Sequence, residues 1–342
     1  MGQWGSAGFR VSYLRGINVL CLVICFAVVL ISISNETGWA QIPKPKGFPS
    51  KNMEYVIGWG AGGGSDAFGR LVCIPARRPL GVPLVVINMP GAASATATEY
   101  VYSQPADGHT LFGITNDMDI NFLLGRTKLN PLTAFTPIIR AHVDVGAINI
   151  SEKSPGKTWQ ELVDFGKKNP GKLTIGGAGS LTSDERWSRQ VFESAGVKVT
   201  YVPYEDTGEM HAALLGGHIH AMYDEPGVIM GMIEKGIVKP VMILAPKRLS
   251  KFPDVPCTGE LGLVLPMMGR GIAVKRGTPD EIVSYLEYVF TEALKEDTVQ
   301  YFQKKRLLDL FPGYANSKEY MKIWEQEYVE NEKGLKQLGA IK

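Results

Sequence analysis

From about residue 53 onward, short apolar runs alternate with longer runs whose apolar residues recur every three or four positions. The short runs Tyr55–Ile57, Leu84–Ile87, Thr110–Phe112, Leu173–Ile175 and Val199–Val202 read as strands, and Thr136–Ile150 holds two more extended runs. Helical spacing is predicted from Asp66, over Ala95–Ser103, Thr158–Lys168, Ser183–Ser194 and Met210–Leu215, and in two long C-terminal segments, Pro279–Leu294 and Lys318–Leu338. In Thr158–Lys168 the residues Trp159, Leu162, Val163 and Phe165 lie on or near one face, and Pro170-Gly171 ends the segment. Pro75 and Pro79 fall inside the first helix and predict that it is kinked or short. The alternation as a whole predicts an α/β fold with largely parallel sheets. Strand, glycine loop and helix occur at 55–80 and again at 173–194. Any α/β chain repeats that unit, but two lobes are the simplest arrangement for a chain of this length.

The first forty residues follow a different pattern. Arg10 and Arg15 precede an apolar run of fifteen residues, Val19–Ile33, then a polar stretch and Gly38-Trp39-Ala40. This is the layout of a secretory signal, with cleavage expected after Ala40. An uncleaved anchor is the alternative, but the run is short for a bilayer span of about 20 residues. A lipidated start at Cys25 is disfavoured by bulky Ile24. Removing residues 1–40 leaves 34 basic against 33 acidic residues. It also leaves two cysteines, Cys73 and Cys257, which can pair in an oxidising compartment but read more simply as separate buried thiols.

Composition excludes several classes. A hydrophobic share of 45% with a net charge of +2 excludes intrinsic disorder. Balanced charge without a basic run argues against a nucleic-acid partner. The one unusual count is 39 glycines, and eight of them gather in two loops. The first reads Gly58-Trp59-Gly60-Ala61-Gly62-Gly63-Gly64-Ser65-Asp66; the second runs Gly176-Gly177-Ala178-Gly179 into Ser180-Leu181-Thr182-Ser183-Asp184. Each precedes a helix whose first N–H groups suit an anion. Two such loops facing a cleft can hold a carboxylate from two sides; tight turns alone are the plainer reading.

Other chemistry finds less support. Gly58, Gly60 and Gly63 spell the dinucleotide pattern G-x-G-x-x-G, but the second strand ends at Asn88 instead of the acid that fold uses for ribose. His218 and His220, with His211 and Asp224 or Glu225 nearby, sketch a metal site but read more simply as strand histidines. There is no G-x-S-x-G elbow, P-loop or C-x-x-C. No cofactor is expected. A secreted hydrolase or metal-dependent enzyme remains the weakest alternative.

Assembled in order, the motifs resemble the tripartite tricarboxylate transporter substrate-binding proteins, the Bug family. They are Phe48-Pro49-Ser50-Lys51, Gly58–Asp66, Asn88-Met89-Pro90-Gly91-Ala92, Pro105–Leu111, Asn169–Leu173, Gly176–Ser183, Val202-Pro203-Tyr204, Leu214–Ile219 and Arg276-Gly277-Thr278-Pro279. The resemblance runs from Phe48 to Lys342. It implies a type II periplasmic binding protein: two Rossmann-like lobes joined by a two-crossing hinge. Such a protein closes on a small organic carboxylate (a di- or tricarboxylate, an aromatic acid or an amino acid) and delivers it to membrane permease subunits, without catalysis. It also implies a periplasmic location and a monomer. Carried over by position, the ligand contacts are Trp59, Gly60, Ala61, Gly62, Gly63, Gly64, Ser65 and Asp66; Thr115, Asn116 and Asp117; Gly179, Ser180, Thr182 and Ser183; and Tyr204 and Asp224. A ligand-sensing partner of a membrane sensor would use the same cleft. Expected boundaries are a signal over 1–40, one lobe of 41–149 with 269–342, and a second of 150–268, with hinge crossings near Ile150 and Met268.

Besides Pro75 and Pro79 inside the first helix, the chain departs from the family pattern in two ways. After Ala92 it continues Ala93-Ser94, where the family turn has a glycine pair. It also carries acids at and around the expected contacts: Asp117, Asp119, Glu205, Asp206, Asp224 and Glu225. Bare acids beside a tricarboxylate in a poorly hydrated cleft repel it by several kcal/mol. Either these acids point to solvent, or the ligand carries a positive group, as an amino acid or a metal-chelated acid does.

Overall fold

The computed structural model describes residues 42–342; the expected signal segment and its cleavage point lie outside them. Strands β1 (Met53–Ile57), β2 (Leu84–Asn88) and β3 (Thr110–Ile114) alternate with helices α1 (Gly64–Leu80) and α2 (Ala95–Ser103). Then follow β4 (Phe135–Asp144), β5 (Gly146–Ser151), α3 (Trp159–Lys168), β6 (Thr174–Ala178), α4 (Ser183–Ser194), β7 (Thr200–Tyr204), α5 (Thr207–Gly216), β8 (Ala221–Asp224) and β9 (Val238–Leu244). The chain closes with β10 (Met268–Lys275), α6 (Asp280–Lys295), α7 (Asp297–Lys305), β11 (Ala315–Asn316) and α8 (Ser317–Gln337).

The strands form two sheets, ordered β11-β4-β10-β3-β1-β2 and β7-β6-β8-β5-β9. They are mixed, not largely parallel. β1 pairs parallel with β2 and β3, and β6 parallel with β7 and β8, but β4, β5, β9, β10 and β11 pair antiparallel. The cause is the double crossing. β4 leads straight into β5 of the other sheet, and β10 brings the chain back between β3 and β4. Of these strands, β5 and β10 enter from the opposite lobe and have no crossover helix to turn them parallel to their neighbours. The change of sheet falls at Val145, ahead of residue 150.

Period-2 alternation places the cores. Tyr55 and Ile57 face Val72, Leu80, Leu286 and Phe290 on one side of the first sheet. Val56 and Phe112 face Phe135, Tyr320 and Trp324 on the other. In the second lobe Leu162, Val163 and Trp159 of α3 pack with Ile148, Ile175 and Phe192.

Helix α1 keeps its full 17 residues in spite of Pro75 and Pro79, which corrects the expectation of a short helix. Both prolines are on its half-buried flank, while Phe68, Val72, Ala76 and Leu80 bury at helical spacing. A buried Phe, Val or Leu contributes about 1.5–3 kcal/mol, and the end of the helix is well partnered. Tyr285 donates to the Pro79 carbonyl at 2.8 Å, Lys44 Nζ to that of Leu80 at 2.5 Å, and the Gly81 N–H to that of Arg77 at 2.9 Å. Cys73 and Cys257 are free and buried. No helix of the described residues is long and apolar enough to cross a membrane.

The last helix begins with a reciprocal cap. Asn316 Oδ1 accepts from the Glu319 N–H at 3.0 Å, and Glu319 Oε2 accepts from the Asn316 N–H at 3.2 Å. Asn316→Ala is expected to cost about 1 kcal/mol, measured by urea denaturation; an unchanged midpoint would remove the cap from the account.

Candidate functional site

Both sheets have a switch point, where strand order runs away in two directions from one strand. In the first sheet β1 lies between β2 and β3; in the second β6 lies between β7 and β8. Loops leaving the carboxyl ends of such strands diverge and open a crevice. Here the loops after β1, β3, β6 and β8 converge on one cavity of about 50 Å³, room for only a few water molecules.

One wall of the cavity comes from the start of α1. Gly63, Gly64 and Ser65 line it, and no side chain caps this helix. Its first N–H groups are therefore left for whatever enters. Gly62 takes a left-handed φ of 84° to bring the loop round. Gly64 is a glycine for close approach: a Cβ there would lie 2.2 Å from Arg270 Nη2. Asp66 ties the loop from below, accepting from the Gly62 N–H at 3.0 Å and from Arg70 Nε at 2.9 Å. Burial raises the pKa of Asp66, but these partners outweigh it and leave the carboxyl below its ordinary value. Asn88 braces the loop by donating to the Trp59 carbonyl at 3.1 Å.

Arg270, absent from the expected contacts, is the cation of the site. It is buried on β10 and makes three polar contacts: Nε to Asp144 Oδ2 at 2.6 Å, Nη1 to Ser65 Oγ at 2.8 Å and Nη2 to Glu225 Oε1 at 2.9 Å. Asp144 and Ser65 belong to the first lobe and Glu225 follows β8 of the second, so the guanidinium bridges the two. Burial raises the Asp144 carboxyl, yet Arg270 and His142 pull it down to about 2. Burial holds Glu225 well above the usual range, although Arg270 opposes this. The sequence carried one signal for Arg270: a lone charge inside the otherwise apolar run Met268–Val274.

The opposite wall is acidic. Asp117, Asp184, Asp224 and Glu225 all line the cavity. His211 Nε2 lies 2.6 Å from Asp224 Oδ2, and the Glu225 N–H donates to Asp224 Oδ1 at 2.8 Å. Asp184 accepts from the Ala178 N–H at 2.8 Å; burial, with Asp117 and Asp224 close by, raises its pKa well above the carboxylate range. Tyr223 also lines the cavity, with a buried hydroxyl that has no hydrogen-bond partner.

Of the expected contacts, Trp59, Gly63, Gly64, Ser65, Thr115, Asp117 and Asp224 line the cavity. The others lie round it. Gly60 packs on Glu205 and Asp206 across the cleft, and Ala61 and Gly62 are exposed. Asn116 reaches the hinge strand, donating to the Met267 carbonyl at 3.1 Å and accepting from the Gly269 N–H at 2.5 Å. Gly179 donates to the Tyr204 carbonyl at 2.9 Å, Thr182 Oγ1 to the Ala178 carbonyl at 2.7 Å, and Ser183 to Asp117. Ser180 and Tyr204 are half-buried outside the lining. Ala178, Asp184, Thr207, Met210, Tyr223, Met268 and Arg270 complete the lining without having been expected there, together with Glu225, flagged only as an acid near the contacts.

The remaining acids separate. Asp119 is buried away from the cavity, with Oδ1 accepting from Asn331 Nδ2 at 2.7 Å. Glu205 is exposed, and Asp206 caps α5 by accepting from the Glu209 N–H at 3.0 Å. His220 Nδ1 accepts from the Thr174 N–H at 3.1 Å. No group of three metal-ligating side chains occurs among the described residues.

The turn after Asn88 is strained where it departs from the family pattern. Ala92, Ala93 and Ser94 all take left-handed φ angles, of 48°, 50° and 73°, each costing about 1–2 kcal/mol for a residue with a Cβ. Asn121 Nδ2 holds the turn, donating to the Ala92 and Ala93 carbonyls at 3.0 and 2.7 Å.

Residues 69–339 match the family model described as the tripartite tricarboxylate transporter family receptor. A curated relative from Cupriavidus necator, named a UPF0065 protein in the gbd 5' region, is 31% identical over 323 residues, which are 93% of this chain and 96% of the relative. Two solved structures share the fold with a TM-score of 0.75 and 24% identity each. MatC from Rhodopseudomonas palustris, with bound malate, aligns over 84% of this chain and 100% of its own. The periplasmic binding protein BugD aligns over 86% of this chain and 99% of its own.

Proposed function

Because the chain belongs to the tripartite tricarboxylate transporter receptor family of periplasmic solute-binding proteins, we propose that it captures a small organic carboxylate between its lobes and hands it to the membrane subunits of a tripartite transporter. The observation that carries this reading is the pair of facing walls round one cavity, one of them an uncapped helix start beside a buried guanidinium. A carboxylate entering there takes the α1 N–H groups of Gly64 and Ser65, the Ser65 hydroxyl and the remaining donor capacity of Arg270. Malate in MatC is a ligand of this chemical type. We assign residues 44–144 and 268–342 to one lobe and 146–244 to the other, with exchange at Val145 and in the return to Met268. Entry and release are then a hinge motion at those crossings. It must part the Arg270–Glu225 contact, because the cavity as it stands is too small for a ligand of several carbons. Residues 1–40 serve as the secretion signal, and the mature protein acts as a monomer.

Thermal denaturation with a panel of two- to six-carbon mono-, di- and aminocarboxylates tests the proposal. A ligand present at a hundred times its Kd adds about 2.7 kcal/mol, so at least one member is expected to raise the midpoint by several degrees, saturably and without being consumed. Mass spectrometry of the protein purified under native conditions is expected to show a bound acid. A midpoint indifferent to every carboxylate, with nothing carried through purification, would count decisively against this function.

A further inference from the structure

We propose that Asp117 fixes the charge class of the ligand: its carboxylate occupies the anion position at the start of α4, so that the cleft takes a ligand with one carboxylate and a positive group at its other end. This rests on the carboxylate-binding function above and narrows it. The 12-residue helix α4 has an N-terminus that faces the first lobe across the cleft. The Ser183 N–H and the Ser183 hydroxyl both donate to Asp117 Oδ1, at 2.8 Å each. Arg186, one turn further on, has Nη2 at 3.6 Å from the same oxygen. Asp117 lies beyond the end of β3, in the other lobe. The Ser183 donors at the start of this lobe-two helix are thus satisfied by the protein itself.

What remains on that side attracts a cation. Asp117 keeps its second oxygen without a hydrogen-bond partner among the described residues, and it shares the cavity with Asp184 and Asp224. The unpartnered, buried Tyr223 hydroxyl lines the same space and can accept from an ammonium group. The only guanidinium in the lining, Arg270, sits on the α1 side and already faces Asp144 and Glu225. The cavity therefore has an anion-accepting pole at Gly64 and Ser65 and a cation-accepting pole at Asp117 and Asp224. A carboxylate brought to the second pole meets like charge in a site with little water, where repulsion is poorly screened.

Matched pairs with equal spacers test this: succinate against β-alanine, and glutarate against 4-aminobutyrate, titrated calorimetrically into the wild-type protein and into Asp117→Asn. The Asn variant keeps an oxygen acceptor for the Ser183 N–H and loses the charge. In the wild type at least one aminocarboxylate is expected to bind at least tenfold more tightly than its matched dicarboxylate. In Asp117→Asn that ratio is expected to shrink at least tenfold. A wild-type preference for the dicarboxylate overturns the proposal without any variant. So does binding of other carboxylates while both aminocarboxylates fail, and so does a ratio that Asp117→Asn leaves unchanged. Those results leave the carboxylate-binding function standing, whereas failure of every carboxylate removes both.

Discussion

Replacing Arg270 with Met is expected to destabilise the protein by about 3–5 kcal/mol, the usual cost of removing one partner from a buried ion pair. The guanidinium is buried and satisfies Asp144, Glu225 and Ser65. Met fills much of the volume but leaves two buried carboxyl groups with no cation between them. Asp144 retains His142, whose Nε2 lies 3.4 Å away; Glu225 retains nothing comparable. Urea denaturation measures the loss, and the thermal midpoint is expected to fall by about 10 °C. Arg270→Lys keeps the charge but not the planar fork and should fall between wild type and Met. The double variant Arg270→Met/Glu225→Gln separates charge from packing. If stranded charge dominates, the double variant recovers part of the loss, because the two sites are in contact and their effects do not add. A double variant as unstable as the single one would show that the guanidinium acts through packing instead.

Much of this architecture was legible in the chain. Helices α2 and α4 have the predicted bounds, Ala95–Ser103 and Ser183–Ser194. The two glycine loops also announced themselves, since a backbone that turns sharply before a helix needs residues without Cβ. Strands β8, β9 and β10 were not read. β9 and β10 belong to the antiparallel part of each sheet and β8 borders it, so their pairing depends on partners from distant segments and leaves little trace in local spacing. Arg270 was lost with β10. The acids illustrate the limit most clearly. Six were flagged by residue type, yet Asp117, Asp224 and Glu225 face the cavity while Asp119 is buried elsewhere and Glu205 is exposed. Which way a carboxylate points is settled by the fold of both lobes together, not by its neighbours in sequence. Asp117 shows what such knowledge changes: an acid expected to contact the ligand also takes up the helix start once expected to hold it.

Stability is expected to fall as pH rises from about 5.5 to 8, by about 3–5 kcal/mol. Two buried acids outside the cavity carry most of this. Burial pushes Glu327 up to about 8, only partly offset by Arg140, whose Nη1 is 3.9 Å from Oε1; Oε2 has no partner. Burial likewise raises Asp119 to about 7, against the hydrogen bond from Asn331. An acid whose pKa is higher in the folded protein holds its proton there after the unfolded chain has lost it. Folding therefore takes up protons between the two pKa values, from about 4 to 8 here, and the stability this supplies at low pH drains away as pH climbs through the folded values. Asp184 and Glu225, also raised by burial, have the same sign. Asp144 has the opposite sign, but its value of about 2 confines the effect to pH below about 4. Glu327→Gln is expected to flatten the upper part of the profile. A stability that is level or rising from pH 5.5 to 8 would refute the assignment. The consequence reaches the cleft through Asn331, which donates to Asp119 Oδ1 and to the Asn116 carbonyl and accepts from Arg186 of the second lobe. Losing the Asp119 proton puts a second negative charge beside Asp117 on the first-lobe side of that bridge, and both Asn331 and, from the second lobe, Arg186 favour that charged form.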